Sequence, residues 1–197
     1  MQARRRTIMR TCPRCERDLQ GAADDTFVVC VGCKRAWETS VDGGELGVAF
    51  LSARGYGDGR ALPFVRFRDV RATVAASAGD EAVRRVAAVE TVWVLAASIR
   101  RFQGYGDVSF EYSRRPPRLE RGRPMPMVRT ARSLEDARRV ARAVMHRIAG
   151  GADGSSLFDV HADLDGAELA YVPTVIDAGL MKLPHCPIRY PEALLED

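Results

Sequence analysis

The chain is expected to fold as an α+β protein: a short cysteine-held hairpin at the N-terminus, then a mixed, mainly antiparallel sheet with one clear amphipathic helix. Three observations predict this. Four of the five cysteines form two C-x-x-C pairs near the N-terminus. Short apolar runs, some alternating with polar residues, recur between residues 45 and 112 and again near 170, as in strands buried on one or both faces. Residues 134–148 space their apolar side chains at helical intervals. A length of 197 residues (21.7 kDa) fits one full domain plus a small module, and the expected division is 1–45 and 46–197.

The cysteines are Cys12-Pro13-Arg14-Cys15, fourteen intervening residues, and Cys30-Val31-Gly32-Cys33. Each C-x-x-C turn lets both thiolates and nearby backbone amides face one ion, and two such turns complete a tetrahedral four-sulfur site. Gly21 and Asp24-Asp25 precede an apolar strand at 27–29, and Arg35-Ala36-Trp37 returns after the second turn. This two-knuckle hairpin resembles the zinc ribbon family, with Glu16 and Lys34 at the positions where that family often has glycine. The resemblance implies a closed, structural zinc on Cys12, Cys15, Cys30 and Cys33. A catalytic zinc wants an open fourth position, and a redox C-x-x-C wants a βαβ context absent here. A module of this size buries too little core to fold unaided, so metal binding, worth roughly 10–16 kcal/mol in such peptides, would supply its folding energy. Four reduced thiolates imply a reducing compartment, hence a cytoplasmic protein, with disulfide pairing as the alternative.

The rest is taken in chain order. Residues 45–53 read as a strand, Gly55, Gly57 and Gly59 with Asp58 as a loop, and 61–68 as a half-buried strand in which Phe64, Arg66 and Arg68 alternate with Val65 and Phe67. A short helix is expected at 82–89 and a strand at 91–99. That strand leads through Gly104-Tyr105-Gly106-Asp107 into a hairpin partner at 108–112. Residues 113–130 hold four prolines among six arginines and read as a loop or crossing arm. Ser133 caps the clear helix, with Asp136 reaching back, and Leu134, Ala137, Val140, Ala141, Val144, Met145 and Ile148 form its apolar face. Gly150, Gly151 and Gly154 end it. Strands are expected at 157–160 and 167–173, and an irregular acidic tail from Pro184 through Pro187 and Pro191 to Asp197. Leu62-Pro63-Phe64, Trp93-Val94-Leu95-Ala96 and Tyr171-Val172-Pro173 echo one another, as related strands of one sheet would. With the cysteines, these segments resemble bacterial proteins of uncharacterised function that join an N-terminal zinc ribbon to an α+β region; that resemblance brings no catalytic residues.

Charge divides the chain. The net +4 is the remainder of +8 over 114–150 and −7 over 151–197, so the balance alone is weak support for nucleic acid. Arg132, Arg138, Arg139, Arg142 and His146 lie opposite the apolar face of the helix. Glu135 can pair with Arg138 and Arg139 there, so the stripe reads either as a salt-bridged solvent face or as a contact for phosphate or a partner. The longest apolar run, 92–97, is far short of the roughly 20 residues that span a bilayer. Arg4, Arg5, Arg6 and Arg10 have no apolar stretch behind them, unlike a secretory signal, and Met9 is a second candidate start.

No catalytic constellation emerges. His161 opens H-A-D-L-D-G, but a calcium loop fails on histidine at position one and Val172 at position twelve, so an Asp-rich loop is expected. His185-Cys186 lacks an orienting acid, and no nucleotide-binding, metalloprotease or nucleophile-elbow motif occurs. The expectation is a non-catalytic zinc protein that meets protein partners as an assembly, adaptor or accessory subunit. The alternative is a zinc ribbon protein that contacts nucleic-acid phosphates through its arginine-rich surfaces.

Overall fold

The computed structural model describes residues 10–40, 43–57, 59–97, 107–150 and 159–194. Six strands form one ordered path in a seven-stranded sheet: β1 (Phe27–Cys30), β2 (Arg35–Glu38), β3 (Glu45–Ser52), β7 (Val160–Pro173), β4 (Ala61–Val74) and β5 (Val92–Leu95). The seventh, β6 (Glu120–Arg121), pairs β3. All pairings are antiparallel except β3 with β7. β8 (Val175–Asp177), β9 (Leu180–Lys182) and β10 (Arg189–Pro191) form a separate three-stranded sheet. The helices are α1 (Gly79–Ala87), α2 (Val108–Arg114) and α3 (Leu134–Gly150). None is long and apolar enough to cross a membrane among the described residues.

Ala61–Val65 of β4, Val92–Leu95 of β5 and Leu169–Pro173 of β7 are apolar without interruption because both faces of the sheet are covered there. On one face Val65, Phe67, Val92, Val94, Leu169 and Tyr171 pack with Val86 of α1 and Ala137, Ala141, Val144, Met145 and Ile148 of α3. On the other, Leu62, Phe64, Trp93, Leu95, Ala170 and Val172 pack with Val108 and Tyr112 of α2, with Met181 and Tyr190 of the small sheet and with Leu183 just after β9. The period of two along each strand sorts its residues between these cores. The echoing segments are neighbours in this sheet, in the order β7-β4-β5. Pro63 lies where β5 runs out, its carbonyl accepting from the Ala96 amide at 2.9 Å. The division expected near residue 45 falls between β2 and β3, which are hydrogen-bonded neighbours, so the sheet runs across it.

Three expectations change. Residues 108–112 form helix α2 instead of a hairpin strand. Their apolar-polar alternation suits a strand, but Asp107 caps a helix by accepting from the Ser109 and Phe110 amides at 2.9 and 3.2 Å. Ser109 and Ser113, one turn apart, then accept the edge amides of Leu95 and Trp93 at 3.1 and 2.9 Å. A helix therefore closes the sheet edge that a further strand would have extended. The H-A-D-L-D-G stretch is strand, not loop: Val160, Ala162 and Leu164 point inward and His161, Asp163 and Asp165 outward in the 14-residue β7. Gly166 takes φ +60° opposite β4, where a Cβ would come within 2.4 Å of the Asp69 carboxylate. The tail expected to be irregular supplies β10, and Tyr190 is fully buried there. Residues 98–106, 151–158 (with Gly151 and Gly154, expected to end the main helix) and 195–197, and Asp58 of the glycine loop, lie outside the described residues.

Helix α3 begins as expected. Ser133 Oγ accepts from the Asp136 amide at 3.0 Å and donates to its carboxylate at 2.8 Å, and Glu38 accepts from the Leu134 amide at 3.2 Å. On the second core, Phe64, Trp93 and Tyr112 meet with ring centroids 5.4–5.9 Å apart, and Tyr112 donates to the Pro184 carbonyl at 2.8 Å. Burial raises the Tyr112 and Tyr190 hydroxyls above their ordinary range.

Replacing Ser113 with Ala leaves the buried Trp93 amide without its acceptor. We expect Ser113→Ala and Ser109→Ala each to cost about 1–3 kcal/mol, read as a lower midpoint in urea unfolding. Wild-type midpoints for both would show that the edge is closed by other means.

Candidate metal centre

Cys12, Cys15, Cys30 and Cys33 are brought together, their sulfurs all within 4.8 Å of one another. They are the one cluster of three or more such ligand residues among the described residues. Cys12 and Cys33 Sγ are 3.9 Å apart, and Cys15 and Cys30 Sγ 3.5 Å. Metal–thiolate bonds of about 2.3 Å in a tetrahedron need sulfur–sulfur edges of about 3.8 Å, so the four residues fit a metal ion.

The backbone explains the gathering. Arg14 N donates to Cys12 Sγ and Cys33 N to Cys30 Sγ, each at 3.4 Å, as a C-x-x-C turn allows. Cys12 N donates to the Arg17 carbonyl at 2.8 Å and Glu16 N to the Cys12 carbonyl at 2.9 Å, closing the first knuckle. Glu16 and Lys34, the residues that follow each pair, adopt φ of +59° and +53°. Glycine is the ordinary occupant of that conformation, so both knuckles form against a steric penalty of roughly 1–2 kcal/mol per residue.

The sulfurs differ in their hold on protons. The Arg17 amide first, and then the Cys33 thiol, draw the Cys15 thiol down to about 7. Hydrogen bonding to Cys15, and then burial, push Cys33 up to about 12, and burial raises Cys30. A bound cation would displace these protons and make all four groups thiolates.

β1 is buried on both sides. Val28, Cys30 and Trp37 face the sulfur cluster with Cys12, while Phe27, Val29 and Ala36 belong to the core under α3. The arm between α2 and α3 fastens this hairpin to the body. Asp25 is buried; its carboxylate accepts from the Ala22 amide at 2.5 Å and the Thr130 amide at 2.7 Å. Thr130 Oγ1 accepts from the Phe27 amide at 2.9 Å, and the Thr130 carbonyl from the Thr26 amide at 2.8 Å. The sequence places Asp24-Asp25 only as residues preceding the strand at 27–29 and does not foretell this junction; two consecutive acids before a buried strand were the available signal.

The other candidate residues lie apart. Arg132 precedes α3 and donates to the Leu95 carbonyl at 3.0 Å, so it helps close the edge of β5. Arg139 pairs with Asp136 at 3.2 Å and Glu135 at 3.5 Å, while Arg138 and Arg142 are exposed on α3. His146 is half-buried on the same helix. His161 is exposed, 3.4 Å from Asp163. His185 takes φ +56°, and burial raises the half-buried Cys186 thiol. Arg4, Arg5, Arg6 and Met9 are outside the described residues.

No protein-family model, curated protein or solved structure matches this chain. Fold and site together define a mixed α+β protein with a mainly antiparallel sheet and a four-cysteine cluster that could hold a metal ion.

Because Glu16 and Lys34 carry side chains in a left-handed conformation, Lys34→Gly should stabilise the protein. The relief, offset by glycine's greater freedom when unfolded, leaves about 0.5–1 kcal/mol, a rise in Tm of roughly 1–4 °C. Calorimetry of the metal-loaded chain checks this; a lower Tm would mean that the Lys34 side chain itself holds the knuckle.

Proposed function

We propose that this is a non-catalytic zinc protein that works as an assembly, adaptor or accessory subunit of a larger cytoplasmic complex. The observation that carries the reading is the sulfur cluster. Four protein thiolates fill a tetrahedral ion's coordination and leave no position for a water or substrate, so the metal would hold structure without doing chemistry. An all-sulfur tetrahedral set suits zinc, which makes the hairpin a zinc ribbon whose folding energy comes from the ion. A thiolate cluster of this kind is suited to a reducing compartment. Among the described residues, His146 lies on α3, His161 on β7 and His185 after β9, so the three histidines are spread over separate parts of the fold. A small folded body that presents metal-stiffened knuckles is suited to docking on a partner.

Purified from its own source, the chain should contain one zinc per molecule by elemental analysis, and Cys30→Ser should lose that zinc and unfold the hairpin. Size exclusion should place the native protein in a complex larger than 21.7 kDa with a stoichiometric partner, and Cys30→Ser should release it. A metal-free protein, or a lone native chain, would refute the corresponding half of the proposal.

A further inference from the structure

The last residue of α2 and the segment joining α2 to α3 expose six arginines: Arg114, Arg115, Arg118, Arg121, Arg123 and Arg129. Two are matched by acids, Arg114 with Glu111 and Arg129 with Asp24, each at 3.0 Å. Arg115, Arg118, Arg121 and Arg123 make no ion pair among the described residues, and Glu120 is the one acid among them. Free cations on a floppy segment would mean little, but this backbone is held throughout. β6 pairs with the end of β3, and Gly122 N donates to the Phe50 carbonyl at 2.8 Å. Ala61 N donates to the Pro126 carbonyl at 2.7 Å, and Val128 N to the Ala61 carbonyl at 2.9 Å. Pro116, Pro117, Pro124 and Pro126 stiffen the remainder.

Folding also adds a fifth cation. In the antiparallel register Leu51 faces Arg121 and Ser52 faces Glu120. Exposed Arg54 lies in the turn that the Ala53–Tyr56 bridge closes just after β3, and Arg118 lies two residues before Glu120, which pairs with Ser52 at that end of the ladder. Cations gathered towards one end of a ladder raise the local positive potential and favour an anion there.

The layout selects the anion. At about 3.3 Å per extended residue, 115–123 spreads its cations over at most about 26 Å, a row instead of a pocket, which suits a chain of phosphates better than a single one. Every aromatic side chain among the described residues is buried or half-buried, so unstacked single-stranded bases find no platform. Among the described residues the exposed large apolar side chains are Val83 and Ile176, neither of them on the arm, so the arm itself offers no exposed large apolar side chain to insert into a membrane. We propose that Arg115, Arg118, Arg121 and Arg123, with Arg54 beside them, bind the phosphate backbone of double-stranded nucleic acid without reading its sequence. This goes beyond the adaptor reading: the docking module meets a duplex through its arm.

The test is fluorescence anisotropy of the full, metal-loaded chain with a labelled 20-base-pair duplex, DNA in one series and RNA in another, from 50 to 300 mM salt. For four to five phosphate contacts the slope of log affinity against log salt should be about −3.5 to −4.5. The variant with Arg115, Arg118, Arg121 and Arg123 all changed to Gln should bind at least tenfold more weakly at 50 mM salt. Arg138→Gln with Arg142→Gln, on exposed α3, should bind as wild type. If the quadruple variant does not fold, Arg118→Gln and Arg123→Gln serve singly, each making the slope shallower by about one. A slope near zero, wild-type behaviour of the arm variants, an equal loss in the α3 variant, or tighter binding to phosphatidylserine vesicles than to either duplex would each overturn the proposal.

Discussion

The first hairpin must have both of its faces covered, and much of the architecture follows from that. β1 and β2 are four residues each, too short to be stable as an isolated pair in water. Phe27, Val29 and Ala36 answer on one side by joining the core beneath α3; Val28, Cys30 and Trp37 answer on the other by closing on the cysteine knuckles. With both faces occupied, β2 is free to pair β3 and so continue the main sheet. The sulfur cluster is thus part of the same packed structure as the body. The strand that carries Cys30 also carries Phe27, whose amide donates to Thr130 of the arm.

The same economy appears at the other end of the sheet. β5 would present open amides, and the chain meets them with side chains and loop backbone in place of another strand. Ser109 and Ser113 accept the Leu95 and Trp93 amides, while Arg132 Nε and the Ala131 amide donate to the Leu95 and Ala96 carbonyls. Helix α2 can do this because its residues divide between the two cores: Phe110 turns to one, Val108 and Tyr112 to the other. Arg147 of α3 lies over the Phe110 ring at 4.1 Å, tying the edge helix to the longest one. Between the two ends, the arm is the common fastener, and its inward residues Val128 and Thr130 are as buried as the strands. Its outward residues are then left with charge and little to neutralise it.

Much of the architecture was legible along the chain. The strands at 45–53 and 61–68, the helix capped by Ser133, and the cysteine set were all written in local signals: period two, period three to four, a capping pair and metal-ligand spacing. The errors share a cause. V-S-F-E-Y at 108–112 alternates like a strand because a helix covering a sheet edge must be apolar on two sides and polar where serines meet amides. H-A-D-L-D-G at 161–166 has the composition of a loop, yet its acids fall on alternate residues and all point outward once β4 lies beside it. Arg189–Pro191 looked irregular because a strand of three residues carries too little pattern to register.

By itself, the sequence determined the four cysteines that could hold a metal ion, the main helix and the identity of the apolar runs, since each depends on residues near one another in the chain. Tertiary structure alone decided which face each run turns to, that β3 would lie parallel to β7, and that Asp25 would be locked to Thr130 more than a hundred positions away. It also decided which arginines find acids and which do not: Arg129 meets Asp24, while Arg115, Arg118, Arg121 and Arg123 are left to solvent. The physical reason is that a charge or hydrogen-bonding group takes its meaning from its nearest neighbours in space, and those are set by sheet order, which no local signal encodes.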